Sequence, residues 1–411
     1  SVDDSDVKDR TINTDLGFSL NPSDDHAFHL DGGLLFLEQE ANLNREFGPF
    51  ATFIDADKIS GTISPKYTTI LPLWKLDNEF TLGSDIRREV IEVQLYADES
   101  RNIKNSDAEV MQDTFDVYAI DSLYLNDSMI LSGAGRLNWS SVSVTEETAG
   151  GATVFDDSTD RNEQAASVGF TWLPSEKTKV YVKADRFYRY PFVDEQASYL
   201  GFLPSAFVDL EPETGYNMEI GTDISPREEL RLQASAYYMP MENEIAFDPI
   251  NFVNQNLDDT LRTGFEINAD YTPVELFSLY ADYIFTLSEF DSGENEGNQV
   301  PGVPKHRALL RADLYLTQTL TFTAGVRFTG KQYPINDNGN NTDGQDAFTL
   351  TDIKLSYADT FKASSYTLFV GIDNLFEEEY DYYQISNGAG TAVNYYPAAG
   401  RTFRTGVAVL F

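Results

Sequence analysis

Along most of this chain, apolar and polar residues alternate one for one. Counting back from the C-terminus, Phe411, Val409, Val407, Thr405 and Phe403 share one register, and Leu410, Ala408, Gly406, Arg404 and Thr402 the other. Successive side chains of a strand point to opposite faces, so this is a strand with one greasy face and one small or charged face. The same pattern recurs upstream. Ile12, Thr14, Leu16, Phe18 and Leu20 line one face near the N-terminus, and Ala166, Val168, Phe170 and Trp172 line another farther on. Ala308, Leu310, Ala312 and Leu314 oppose Arg307, Arg311, Asp313 and Tyr315, while Phe322, Ala324, Val326 and Phe328 oppose Thr321, Thr323, Arg327 and Thr329.

The connections alternate between about five residues and about 12 or more, as in an up-and-down barrel with short turns at one rim and long loops at the other. The long segments fall near 42–60, 97–109, 146–163 and 190–213. Arg, Asp and Glu stand in mid-strand. Such charges are costly inside a closed sandwich core but tolerated against a wet lumen. The prediction is an all-β, antiparallel up-and-down transmembrane β-barrel wall of about 17 strands. A Tyr-rich soluble sandwich with a solvated outer face is the alternative. Bacterial single-chain barrels close with an even strand count, so with about 17 strands the first and last cannot pair antiparallel.

Composition narrows the class. The chain has 411 residues and no apolar run near the roughly 20 a membrane helix needs. Its 23 Tyr, 28 Phe and 3 Trp suit interfacial aromatic girdles. The formal net charge is −38, from 67 acids against 29 bases, which argues against nucleic acid as a partner. The acids are expected mainly in the segments between strands. There is no cysteine, which removes disulfide, thiol and Cys-metal chemistry. His26 and His29 fall on opposite faces of a strand and do not form a ligand pair. The start, Ser1-Val-Asp-Asp-Ser-Asp6, carries no signal-peptide pattern, as expected of a mature chain or a piece of a longer one.

Four stretches then carry a resemblance. Arg186-Phe-Tyr-Arg-Tyr-Pro-Phe192, followed by Leu210-Glu-Pro-Glu213 and Asn217-Met-Glu-Ile-Gly221, resembles the "FRxP … LxPE … ExG" block of TonB-dependent outer-membrane receptors. Val253-Asn254 with Arg262-Thr-Gly-Phe-Glu266 is similar to that family's "N … RGxE" segment, and Val300-Pro-Gly-Val-Pro-Lys305 to its proline pair. Asp373-Asn-Leu-Phe376, Tyr380, Pro397-Ala-Ala-Gly-Arg-Thr-Phe403 and the terminal Phe411 resemble its ending. The resemblance implies a barrel of about 22 strands with a plug inside it. Residues 1–411 would then be a partial barrel, about strands 6 to 22, with the plug and the first strands absent. It also implies a bacterial, Gram-negative outer-membrane location among lipid and lipopolysaccharide, and a TonB complex engaged through an N-terminal region outside this chain.

By the same resemblance the function is import of a scarce, bulky nutrient, above all a ferric siderophore or other metal chelate. A passive porin and a structural or adhesive barrel in an envelope complex are the alternatives. Candidate ligand contacts on the lumen register are Tyr181, Arg307, Arg311 and Arg327, because guanidinium groups hold anions through charge-assisted hydrogen bonds. Ion pairing with lumen acids is the structural reading of the same arginines. Loop candidates are Tyr188, Tyr190, Tyr199, Tyr382, Tyr383 and Tyr395, whose rings can stack on a planar ligand or pack the loops together. Residues 187 to 213 hold no histidine, which disfavours haem. Asp337, Asp343 and Asp346 offer oxygen ligands for Ca²⁺ but lack EF-hand spacing, so a turn-rich loop is the first reading. No cofactor is expected. Three histidines and no nucleophile–base set at a rim argue against an enzyme.

Overall fold

The computed structural model describes residues 6–43, 52–198, 206–248, 253–361, 364–387 and 389–410. Seventeen strands belong to one hydrogen-bonded sheet, and every pairing with a defined register is antiparallel. The chain divides into two compact units, Ser1–Gly169 with Asp185–Gly215 and Asn243–Leu257, and Phe170–Ala184 with Tyr216–Glu242 and Asp258–Phe411.

The first unit is built on long hairpins. Its strands are β1 (Asp6–Ser23), β2 (His26–Leu43), β3 (Thr52–Ile70), β4 (Asp77–Tyr96), β5 (Lys104–Asn126), β6 (Met129–Thr148) and most of β7 (Thr153–Ser175). They run 18 to 23 residues, about twice the roughly 9–11 that cross a bilayer. The segment 146–163, expected as a loop, is therefore largely strand, and residues 104–109 of the expected loop 97–109 are strand as well. Only residues 97–103 and 149–152 form the hairpin tips.

The reason is an inversion of the two faces along the same strands. In the turn-side half, one face carries the exposed apolar residues Ile59, Ile63, Leu82, Ile86, Leu137 and Trp139. The opposite face carries Lys58, Arg87, Glu89, Asp116 and Asn138. Farther along, this second face becomes apolar. Ile54, Val93, Leu95, Ala108, Val110, Val142 and Val144 form a buried cluster there, with Phe155 and Phe207 packed against it. The belt face meanwhile becomes acidic. Glu38, Asp57, Glu92 and Glu109 stand directly opposite one another across four adjacent strands. Like charges in that arrangement repel, so water rather than hydrocarbon must surround them. The acids expected between strands are here on strands.

The same unit holds the end of β8 (Thr178–Arg189), the short α1 (Val193–Gln196), and the small pairs β9 (Ala197–Ser198) with β10 (Ala206–Phe207). Its last pair is β13 (Ile245–Asp248) with β14 (Val253–Asn256). Through Phe207, the connection after β8 packs on the inverted, apolar part of the polar face.

The second unit has shorter strands and longer loops. It includes β11 (Glu213–Arg227), β12 (Leu230–Glu242), β15 (Thr260–Val274), β16 (Phe277–Phe290), β17 (His306–Tyr315) and β18 (Leu320–Thr329). It continues with β19 (Phe348–Phe361), β20 (Ser364–Asp373), the hairpin β21 (Asp381–Ser386)–β22 (Val393–Pro397), and β23 (Thr402–Leu410). The predicted faces are observed. Leu310, Leu314, Val326, Phe328, Leu368, Val370, Val407 and Val409 are exposed apolar residues on one face. Phe265, Tyr283, Phe285 and His306 cluster at its loop-side border, in the manner of an aromatic girdle. The expected last strand forms and pairs with β20, while Phe411 lies outside the described residues.

His26 and His29 take separate partners, as their spacing implied. His26 Nδ1 bonds the Tyr67 and Thr69 hydroxyls, and His29 Nδ1 bonds the Ser19 hydroxyl.

Candidate functional site

Three groups of residues stand out, one in the first unit and two in the second. The first lies in the first unit and uses the motif residues. Arg189 donates two parallel hydrogen bonds to Glu213, from Nε at 2.7 Å and Nη2 at 2.8 Å, and a third from Nη1 to Glu195 at 2.7 Å. Glu195 also accepts from the Phe192 amide, and Glu213 from the Ile245 amide. The guanidinium lies over the Phe192 ring, 5.0 Å from its centroid. Asn254 Nδ2 donates to the Glu195 carbonyl, and Asn256 bonds both backbone groups of Glu211. The "FRxP", "LxPE" and "N" stretches are thus parts of one clamp that fixes the start and end of the connection after β8. A planar fork meeting a carboxylate bidentately explains why Arg and Glu occupy those positions.

Tyr188 and Tyr190 meet edge to face beside the clamp, their centroids 5.4 Å apart. Tyr188 lies beside Arg136, which ion-pairs with Asp85 at 2.7 Å and Asp116 at 2.6 Å. The Tyr190 hydroxyl is buried beside the backbone of Glu163. Tyr199 lies outside the described residues.

The second group is the polar face of the second unit. Tyr181 donates to Glu219 at 2.5 Å, and Lys183 pairs with the same carboxylate. Tyr181 and Glu219 share a polar hollow with Ser235, Tyr237, Glu266 and Asn268. Arg311 pairs with Asp313 at 2.8 Å and Arg327 with Asp352 at 2.9 Å, so ion pairing with neighbouring acids holds for these two. Arg307 is exposed and has no ion pair among the described residues. Arg307, Arg311 and Arg327 do come together. Arg327 stands opposite Leu309, between the other two on the adjacent strand. Two further cations share this face, Lys354 on β19 and Arg404 on β23. The sequence reading left both out of its candidates, although their parity would have found them.

The third group is the rim of the same unit, where three loops interlock. Asp337 is fully buried, and its carboxylate accepts from the amides of Asn341 and Thr342 and from the Thr342 hydroxyl. Asn340 exchanges hydrogen bonds with Gln299, and Ile335 forms a parallel bridge to Ile385. Tyr383 stacks on Tyr396 at 4.2 Å inside the β21–β22 hairpin, whereas Tyr382 and Tyr395 remain 76% and 63% exposed. Asp337 therefore organises a turn. Asp343 and Asp346 are exposed, and no group of three acids or histidines suited to a metal occurs among the described residues.

This architecture has known counterparts. The family described as TonB dependent receptor-like, beta-barrel matches residues 1–375. The chain belongs to that family, whose members reside in the bacterial outer membrane. Among curated proteins, the iron-regulated outer membrane virulence protein of Vibrio cholerae is 26% identical over 190 residues, which is 42% of this chain and 29% of that protein. Among solved structures, the ferric-catecholate import receptor Fiu of E. coli K12 superposes with a TM-score of 0.76 at 18% identity, over 98% of this chain and 64% of that one. The ferric citrate transporter FecA does so with a TM-score of 0.79 at 18% identity, over 98% and 62%. The ferric yersiniabactin uptake receptor FyuA of Yersinia pestis gives 0.75 at 20% identity, over 98% and 62%. The chain thus spans less than two thirds of these structures and under a third of the curated relative.

Proposed function

We propose that this chain supplies wall and mouth to a TonB-dependent transporter that imports a scarce, bulky nutrient, a ferric siderophore or similar metal chelate. The observation that carries the reading is the rim of the second unit. Three loops joined through Asn340–Gln299 and Ile335–Ile385 carry the exposed rings of Tyr382 and Tyr395 at the rim of a unit whose polar face bears arginines. Rings held in fixed loops suit capture, and guanidinium groups below suit retention. The related receptors named for iron chelates support the choice of cargo. The seventeen strands correspond, in this reading, to the later part of a barrel of about 22. Coupling to TonB and contact with lipopolysaccharide belong to the reading, although no residue of this chain is assigned to either. The test is growth under iron limitation. Deleting the gene should abolish growth on one class of ferric chelate, and the full-length gene should restore it. Unchanged growth on every chelate tried would refute the reading.

One observation favours a passive porin instead. The connection after β8 folds back onto the wall through Phe207, on the inverted, apolar part of the otherwise polar face, as a constriction loop would. A porin conducts ions in planar bilayers without a coupling protein. The transporter reading expects no steady conductance from the full-length protein.

A further inference from the structure

On the belt face of the first unit, the change from apolar belt to polar extension takes a single step of the sheet. Ile86, Phe115 and Trp139 stand directly opposite one another on β4, β5 and β6, and Arg88, Asp113 and Ser141 form the next row toward the hairpin tips. The two rows line a hollow of about 670 Å³, to which Asp160 and Asn162 of β7 also contribute. We propose that this hollow binds the phosphorylated sugar head of an outer-leaflet glycolipid, with Arg88 as the residue that recognises the phosphate.

The inference needs the chain's place in the outer membrane and not the identity of its cargo. Depth is the first argument. From the turn at residues 127–128, the roughly 9–11 residues that cross a bilayer end near Trp139. The hollow therefore lies where acyl chains give way to sugar and phosphate, and its two rows match that boundary. Phe115 and Trp139 stack with centroids 5.7 Å apart and remain exposed, a flat platform for the apolar part of a lipid. Charge is the second argument. Among the described residues, Arg88 is the only lysine or arginine on this face of β2 to β6, which it shares with Glu38, Asp57, Glu92, Glu109 and Asp113. Its Nη2 meets Asp113 and the Met111 sulfur, each at 3.0 Å, and the side chain is still 63% exposed. Nε and Nη1 have no acceptor among the described residues, and a phosphate suits the guanidinium fork. Glu92 and Glu109, two rows farther on, repel further negative charge, so the face admits a single phosphate. The third argument is the polar groups beside Arg88. Ser141, Asp160 and Asn162 make no side-chain hydrogen bond among the described residues, and together they offer donors and acceptors to sugar hydroxyls. An aromatic girdle needs rings alone. It gives no reason for a hollow, a lone cation and unspent polar groups in one place.

The experiment uses the full-length receptor, refolded in detergent free of native lipid. The radiolabelled probes are lipid A with one phosphate, its dephosphorylated form, and phosphatidylglycerol. Probe retained by the protein after gel filtration is counted over a range of probe concentrations. Wild-type protein should bind the monophosphorylated glycolipid saturably and the other two far more weakly. Arg88→Gln should weaken that binding by about tenfold, and Arg88→Lys should recover part of it. Trp139→Ala should weaken both glycolipids alike, because it removes the platform and not the phosphate contact. Asp113 is half exposed and stays hydrated without Arg88, so Arg88→Gln should fold, as checked by heat-modifiable gel mobility. Failure of the monophosphorylated glycolipid to bind, equal binding of the phospholipid, or unchanged binding by Arg88→Gln overturns the inference. Growth on ferric chelates is scored separately and bears on the transport reading alone.

Discussion

Each unit ends its strands beyond its own apolar belt in a different way. In the first, the strands run on, and the two faces exchange character. Val93, Val110 and Val144 are buried on the face that is charged lower down, and the belt face becomes acidic. In the second, the strands stop and the loops take over, locked by side chains such as Asp337 and Asn340 that satisfy backbone groups. Hydrophobic burial supports the first extension, and hydrogen-bonded turns support the second. Mutations should therefore act on them differently.

The largest effect should come from Val110→Asp. This fully buried position lies in the inverted cluster, and an unpaired carboxylate there should cost about 4 kcal/mol or more. Its neighbour Glu109 lies on the water-exposed face in a row of like charges, so Glu109→Asn should change stability by less than about 0.5 kcal/mol. Denaturant midpoints of the two variants, measured in detergent, decide the matter. Equal effects would deny the inversion.

Asp337→Ala comes next. Two amides and a hydroxyl would lose their acceptor, a local loss of about 2–3 kcal/mol. It should appear as rapid protease cleavage within residues 331–346 with the global midpoint unmoved. Arg189→Lys should be milder, about 1–2 kcal/mol, because a point charge cannot reproduce the bidentate contact to Glu213. Faster cleavage between residues 190 and 212 would register it. Arg307→Gln should be the smallest, within about 0.5 kcal/mol, since no partner is lost.

The second unit was the more legible from sequence. Alternation placed most of its strands and their faces, because those strands keep one character per face along most of their length, whereas on β19 Phe348 and buried Leu350 share the face of Asp352 and Lys354. In the first unit the pattern broke down at about the middle of each strand. Residues such as Asp156, Asp157, Asp160 and Arg161 look like an acidic loop, yet they belong to β7. Nothing in a local polar run shows that the apolar partner face has moved to the other side. The motif stretches were visible, but not that Arg189 and Glu213 meet, since contact across that interval is a property of the fold. Parity put Arg307, Arg311 and Arg327 on one face, as the register has them, and Tyr383 packs on Tyr396 within its hairpin. The role of Asp337 was hidden because a carboxylate that ends a turn and one that binds a cation look alike in sequence.

The most direct test of the account is uptake of radiolabelled iron chelate by cells that carry the full-length receptor, with and without an active TonB system. The account predicts accumulation that requires both the receptor and TonB. Accumulation that persists at the same rate without TonB would contradict it and identify the protein as a passive pore.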